Sequence, residues 1–138
     1  MVTHQSITIA TQGFCDVVDI TEHVSRALRG QGILNGVVTI FIPGSTASLT
    51  TIEYEPGSVA DLQAAIERIA PQGGDYMHNE RWGDGNGFSH VRAALLGPSL
   101  SIPLMEGILA LGMWQQIVLV EFDNKSRSRK VIVSAVGE

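Results

Sequence analysis

The chain has 138 residues, of which 44% are hydrophobic and 17% charged, and a formal charge of −5. That is the size and composition of one domain able to bury about two-thirds of its unfolded surface, which excludes disordered and fibrous classes. The acidic balance argues against a nucleic-acid partner, and Cys15, the single cysteine, excludes an intrachain disulfide. The start Met1-Val2-Thr3-His4 lacks the basic region and apolar run of a leader, and no apolar stretch reaches 18 residues. The expectation is a cytoplasmic, non-membrane domain covering 1–138.

In chain order, residues 2–10 alternate polar and apolar as a half-buried strand, and 15–20 offer a second strand after Gly13, so the two read as a hairpin. Thr21 reads as an N-cap for a helix of about two turns that buries Val24, Ala27 and Leu28 and closes at Gly30 and Gly32. Residues 37–42 form a β-branched and aromatic run that predicts a central strand covered on both faces. A strand over 49–55 follows, and Ser58-Val59-Ala60-Asp61 matches a capping box for a helix to about Ala70, with Leu62, Ala65, Ile66 and Ile69 on its apolar face. Residues 71–87 carry five glycines without periodicity and read as a long loop. A short helix then ends near Gly97-Pro98, and strands over 99–104, 108–112, 114–123 and 129–136 read as a meander. The class is α+β, a single domain with a large antiparallel sheet and two to three helices.

Chemistry concentrates in Trp82-Gly83-Asp84-Gly85-Asn86-Gly87-Phe88-Ser89-His90-Val91-Arg92, where an acid, an amide, an imidazole and a guanidinium stand among small residues that leave the backbone accessible. His78 and His90 flank that loop with Glu80, Asp84 and Asn86 between them, a mixture that suits a divalent metal although the spacing matches no zinc signature. Pro43-Gly44-Ser45-Thr46-Ala47-Ser48 has two readings, a phosphate cradle or a turn whose hydroxyls satisfy their own backbone. No Walker loop is present. Glu53 and Glu55 are candidates for a base or metal ligand, or are solvated carboxylates at a strand end. Glu121 lies in an apolar run where burial demands a partner, with Arg92, Arg127 and Arg129 available. Trp114 reads as a core or subunit-interface anchor, Cys15 as inert packing, and the basic cluster Lys125, Arg127, Arg129 and Lys130 as a solvated hairpin end.

Residues 90–103 (HVRAALLGPSLSIP) and 111–117 (LGMWQQI), together with Asn86 and with Ser45-Thr46-Ala47-Ser48 followed by Ile52-Glu53, resemble the YjbQ-like family, also called secondary thiamine-phosphate synthase enzymes. The resemblance implies an α+β fold with a large antiparallel sheet, a homotrimer, and weak thiamine-phosphate synthase activity joining a pyrimidine methyl diphosphate to a thiazole phosphate with release of pyrophosphate. It assigns Asp84, Asn86, His90 and Arg92 to catalysis and Ser45, Thr46, Ser48, Gly85 and Gly87 to phosphate. A divalent metal, Mg²⁺ or Zn²⁺, would sit on His90 with His78 or Glu53. Two departures bear on that metal: Gly44 stands where many members have a histidine, and Phe88 where relatives can have the second histidine of a His-x-His pair. The competing functions are a metal-dependent hydrolase of a small phosphate or ester, and a non-catalytic small-ligand-binding protein.

Overall fold

The computed structural model describes all residues from Met1 to Glu138. Eight strands and four helices follow in the order β1 (Val2–Thr11), β2 (Asp16–Asp19), α1 (Thr21–Leu28), β3 (Gly36–Phe41), β4 (Ala47–Ile52), α2 (Pro56–Ile69), α3 (Met77–Trp82), α4 (Gly87–Leu96), β5 (Ser99–Met105), β6 (Ile108–Leu109), β7 (Gln116–Glu121) and β8 (Arg127–Gly137). A five-stranded antiparallel sheet runs β1-β8-β3-β5-β6 and a three-stranded one β2-β7-β4. The α+β class and antiparallel pairing agree with the sequence, whereas the final strands do not form a meander. β7 leaves for the smaller sheet and β8 inserts between β1 and β3.

The two sheets are halves of one folded ladder. β1 pairs β8 from Val2↔Val136 to Thr11↔Arg127, and β2 pairs β7 from Asp16↔Glu121 onward, with the register slipping by one residue across the bend. The expected hairpin between β1 and β2 is therefore absent, because they are consecutive lengths of one bent strand. Strands switch sheets through bulges and sharp local turns. Here the corner is tight enough that a Cβ on Gly13 (φ +107°) would lie 2.9 Å from the Lys125 carbonyl carbon. Phe14 and Cys15 follow with φ of 51° and 68°, held there as Phe14 N donates to Asp123 O and Cys15 N to Glu121 O.

Folding the ladder over makes three layers. Val38 and Ile40 of β3, Val131 and Val133 of β8 and Ile102 and Leu104 of β5 meet Leu49 of β4 and Ile117 and Leu119 of β7 between the sheets. The other face of β7, with Val118 and Val120 plus Phe122, packs on Ile66 of α2 and Ala93 of α4. The strand buried on both faces is thus β7. β3 is central but alternates, leaving Val37 47% and Phe41 41% exposed, because the outer face of the five-stranded sheet has no covering layer.

Local signals shift in two places. Thr21 opens α1 rather than capping it, and Asp19 Oδ1 accepts from both Thr21 N and Oγ1 at 3.0 and 2.7 Å. α2 starts at Pro56, with the Glu55 carboxylate capping Gly57 N and Ser58 N, so Ser58 is not its cap. Pro at the first helical position has no N–H to leave unsatisfied.

Candidate functional site

Every strand that crosses the corner brings a polar residue to it, and these residues satisfy one another. Glu121, fully buried on β7, accepts from Thr11 Oγ1 at 2.6 Å and from Arg129 Nε at 2.7 Å, with Arg129 Nη2 also on its second oxygen. Arg129 Nη2 further donates to Thr46 Oγ1 at 2.7 Å, and that hydroxyl donates to Asp123 Oδ2 at 3.2 Å. Asp123, fully buried, takes Arg127 Nε at 2.9 Å and Asn124 N at 2.8 Å. Burial alone would raise the Asp123 carboxyl, but its hydrogen bond from Arg127, the Asn124 N–H, the Arg127 charge and Asn86 together hold it below the ordinary carboxylate value.

The glycine-rich segment is built onto this corner. α3 interrupts the expected 71–87 loop and ends at Gly83 in the left-handed conformation. Tyr76 OH donates to Pro71 O at 2.6 Å, and Gly87 N, at the start of α4, donates to Asn79 Oδ1 at 2.8 Å. A Cβ on Gly87 would lie 2.6 Å from Tyr76 Cβ, so only glycine lets α3 and α4 approach this closely. Their approach stacks His78 on His90, with ring centroids 4.4 Å apart and planes tilted by 43°. His78 Nδ1 is buried without a hydrogen-bond partner and lies 3.4 Å from Asp84 Oδ1. The corner turn steadies this loop, as Asn124 Nδ2 donates to Asp84 O at 2.9 Å and Asn86 Nδ2 approaches Asp123 Oδ1 at 3.4 Å. Beside His90 a shallow hollow of about 210 Å³ is lined by Gly44, Ser45, Ala47, Ala93, Ala94 and Pro98.

The sequence model of the family described as UPF0047 protein, YjbQ-like, matches residues 5–138. The chain belongs to the YjbQ-like UPF0047 family. It is 36% identical over 130 residues to a UPF0047 protein of Archaeoglobus fulgidus, covering 94% of this chain and 98% of that one. It is 35% identical to a UPF0047 protein of Methanothermobacter thermautotrophicus, covering 97% and 92%. Among solved structures, it superposes on a YbjQ-like protein of unknown function from Sulfolobus solfataricus with a TM-score of 0.94 at 33% identity, covering 100% of this chain and 99% of that one. A hypothetical protein from Aeropyrum pernix gives a TM-score of 0.91 at 33% identity, covering 99% of both chains.

Within this YjbQ-like domain the residues singled out from the sequence divide. His78, Asp84, Asn86 and His90 come together, and Ser45 lines the hollow beside them. Arg92 does not join them: two positions on from His90 it faces the opposite side of α4, where its Nε donates to Ala70 O at 2.9 Å and its Nη2 pairs with Glu67. Glu53 lies beyond the far end of β4, roughly 20 Å from Ala47 at 3.3 Å per strand residue, and cannot share an ion with His90. The hydroxyls of Thr46 and Ser48 are buried and committed, Ser48 to Ala93 O at 2.9 Å, which is the self-satisfied reading of that segment. Gly87 gives its N–H to Asn79, while Gly85 is exposed.

The partner foreseen for Glu121 is Arg129, and since Arg127 pairs with Asp123, the basic cluster turns inward at two of its four positions. Trp114 is 69% exposed in the turn before β7 and is no part of the core. Asp123, Asn124 and Asn79 were not foreseen. The signal available was Asp123 directly after an apolar run, with four cations in the next seven positions. No three His, Cys, Asp or Glu side chains converge in a group placed to hold a metal ion. His78, His90, Asp84 and the Asn86 amide nevertheless lie near one another, with the buried His78 Nδ1 facing the Asp84 carboxylate.

Proposed function

We propose that this chain is an enzyme of phosphate-ester chemistry whose site is centred on His78, His90 and Asp84 and takes a divalent cation, Mg²⁺ or Zn²⁺. The observation that carries the reading is the buried, unpartnered His78 Nδ1 beside the Asp84 carboxylate and against the His90 ring. A bound cation there would neutralise diphosphate oxygens and stabilise departing pyrophosphate. His78 and Asp84 hold it, His90 orients the phosphate side, and Ser45 offers a hydroxyl and backbone to the phosphate. The hollow is smaller than the roughly 300–1,000 Å³ of pockets that enclose a whole ligand. It suits a phosphate group, with the remainder of the substrate lying across open surface. The reaction that best fits is the one the family resemblance implies, a pyrimidine methyl diphosphate joined to a thiazole phosphate.

The open outer sheet face supports self-assembly as a homotrimer. There Val2, Val136 and Val37 stand in one cross-strand row beside Pro103. No helix is long and apolar enough to cross a membrane.

The test is titration of Mg²⁺ and Zn²⁺ into wild type, His78→Ala and His90→Ala, followed by product analysis with the two thiamine precursors. The reading expects cation uptake that His78→Ala abolishes and coupling that His90→Ala reduces by at least tenfold. Phosphate release without coupling would favour the hydrolase, and ligand uptake with no turnover the binding protein. Light scattering would show a mass of three chains, reduced by Val37→Lys.

A further inference from the structure

A hollow of about 410 Å³ lies between the C-terminal end of α1, the 29–34 turn and the β5–β6 hairpin, and it shares no residue with the one beside His90. Its size falls within the roughly 300–1,000 Å³ of pockets that enclose a ligand. The floor belongs to the core: Ile33, Leu104 and Leu109 are buried, and Leu28 and Leu111 pack against them. Leu34 and Ile108, 58% and 70% exposed, carry that apolar surface out to the mouth. The rim is fixed in place, as Gly107 N donates to Leu34 O at 2.8 Å and Glu106 N to Asn35 Oδ1 at 3.0 Å, tying the turn to the hairpin.

The polar groups left over in this hollow are donors. The N–H groups of Gly30, Gly32 and Ile33 have no acceptor in the protein, and the half-buried Ser25 hydroxyl makes no hydrogen bond within it, whereas Thr21 Oγ1 is spent on Asp19. Two carbonyls at the end of α1, Arg26 O and Leu28 O, are taken by Arg29 N and Gln31 N. Arg29 is the one charged residue of the lining, which contains no acid. Its Nη2 pairs with Glu22 at 2.9 Å, but both side chains are more than half exposed. A surface pair of that kind holds its members weakly, and it leaves Nε and Nη1 free. Free donors at one end of an apolar floor suit a ligand with an acceptor-only anionic head and a hydrocarbon body.

We propose that this hollow is a binding site for a small amphipathic carboxylate, with the hydrocarbon on the floor of Ile33, Leu104 and Leu109 and the acid between Arg29, Ser25 and the free N–H groups of the 30–33 turn. The charge of the lining selects an anion, and its apolar floor selects a chain over a bare ion. The site stands apart from the phosphate-ester reading and from His90, so either can fail without the other. Because the turn and the hairpin are already bonded to each other, the ligand enters a formed pocket and does not have to order one.

The experiment is calorimetric titration of octanoate into the full chain as wild type, Arg29→Gln and Ser25→Phe, with acetate and octanol as probes that lack the chain and the charge. Wild type is expected to take one octanoate per chain, about fivefold or more tightly than octanol, and to give no heat with acetate. Arg29→Gln changes an exposed side chain and is expected to weaken octanoate by about fivefold or more while leaving octanol unmoved. Ser25→Phe fills the hollow from its rim and is expected to abolish octanoate binding. Should Ser25→Phe fail to fold, the wild type supplies the location: the Leu109 methyl signals in a ¹³C spectrum are expected to shift at the octanoate midpoint. No octanoate bound by wild type, octanoate no tighter than octanol, or Leu109 methyls unmoved at saturation overturns the proposal. A fall in mass by light scattering in Ile108→Lys, with no octanoate bound by wild type, would overturn it in favour of a second copy of the chain covering the hollow.

Discussion

Replacing Arg92 with methionine separates a structural from a chemical role for the one guanidinium of the glycine-rich motif. Methionine keeps the apolar stem as far as the Nε position but not the guanidinium, whose carbon lies 4.9 Å from the Phe88 ring centroid. What is lost is the Nε–H bond to the buried Ala70 carbonyl, a charged-donor bond worth about 1.5–3 kcal/mol. The pair with Glu67 adds under about 1 kcal/mol, since that carboxylate is half-exposed. The cation–π contact adds up to about 1 kcal/mol. A net loss of about 3 kcal/mol is expected, a fall in Tm of roughly 10 °C for a chain of this length. The loss arises because the Arg92 side chain supplies the donor that ties the Ala70 carbonyl, at the C-terminal end of α2, to α4. Urea denaturation at fixed protein concentration measures it, and Zn²⁺ titration of the same sample should give an affinity within about twofold of wild type. Unchanged stability together with lost cation or pyrophosphate binding would refute the clamp and return Arg92 to the site.

Three further outcomes follow from the same geometry. Arg129→Met leaves Glu121 charged and buried without its partner and should cost about 3–5 kcal/mol. Adding Glu121→Gln should restore a measurable part of it in a denaturant-based double-mutant cycle. Gly87→Ala places a methyl 2.6 Å from Tyr76 Cβ and should lower stability by about 1–3 kcal/mol while weakening cation uptake, since α3 must retreat from His90; calorimetry on one sample reads both. Burial pushes the Cys15 thiol above its ordinary value of 9.0, against the smaller lowering effect of Arg92. The folded protein should therefore react with iodoacetamide far more slowly than the urea-unfolded chain at pH 8, and its stability should decline as the pH climbs past 9.0, where the unfolded thiol ionises first.

The parts of the fold legible in the sequence are those set by local pattern. The alternation of 2–10, the breaks at Gly30, Pro43 and Gly97 and the class itself come from residue spacing, which acts over a few positions. The unforeseen parts are tertiary. Nothing local distinguishes the run in β3 from that in β7, and which is covered on both faces depends on where α2 and α4 land. The β1–β2 hairpin failed for a related reason: Gly13 marks a turn, but only the Lys125 backbone packed against it makes that turn a change of sheet. At the site, the histidines and Asp84 were legible as residue types suited to a metal. Arg92 misled because a guanidinium near a histidine in sequence lies on the opposite face of a helix two residues later. Asp123 and Asn124 escaped because a polar pair after a strand ordinarily marks only a turn.

The disposition of the arginines constrains what the site can attract. Arg92, Arg127 and Arg129 are each committed to a carboxylate, and two of those acids, Asp123 and Glu121, are fully buried. Arginine is the side chain best fitted to grip a phosphate in two-point fashion, yet Arg92 and Arg127 are bound elsewhere, and Arg129, whose Nη1 stands beside Gly44 of the His90 hollow, spends its Nε and Nη2 on Glu121 and Thr46. Meanwhile Asp84 keeps a half-exposed carboxylate on the neighbouring loop, 3.4 Å from His78 Nδ1. A naked diphosphate would approach the Asp84 carboxylate against repulsion. On the proposed reading, phosphorylated ligands should bind this site only when a divalent cation is supplied with them. Pyrophosphate titrated in chelator should give no heat above buffer, and pyrophosphate with Mg²⁺ should bind in a manner lost in His78→Ala. Equal binding in chelator would mean that backbone N–H groups and hydroxyls of the 43–48 segment hold the anion unaided, and the cation-centred site would have to be abandoned.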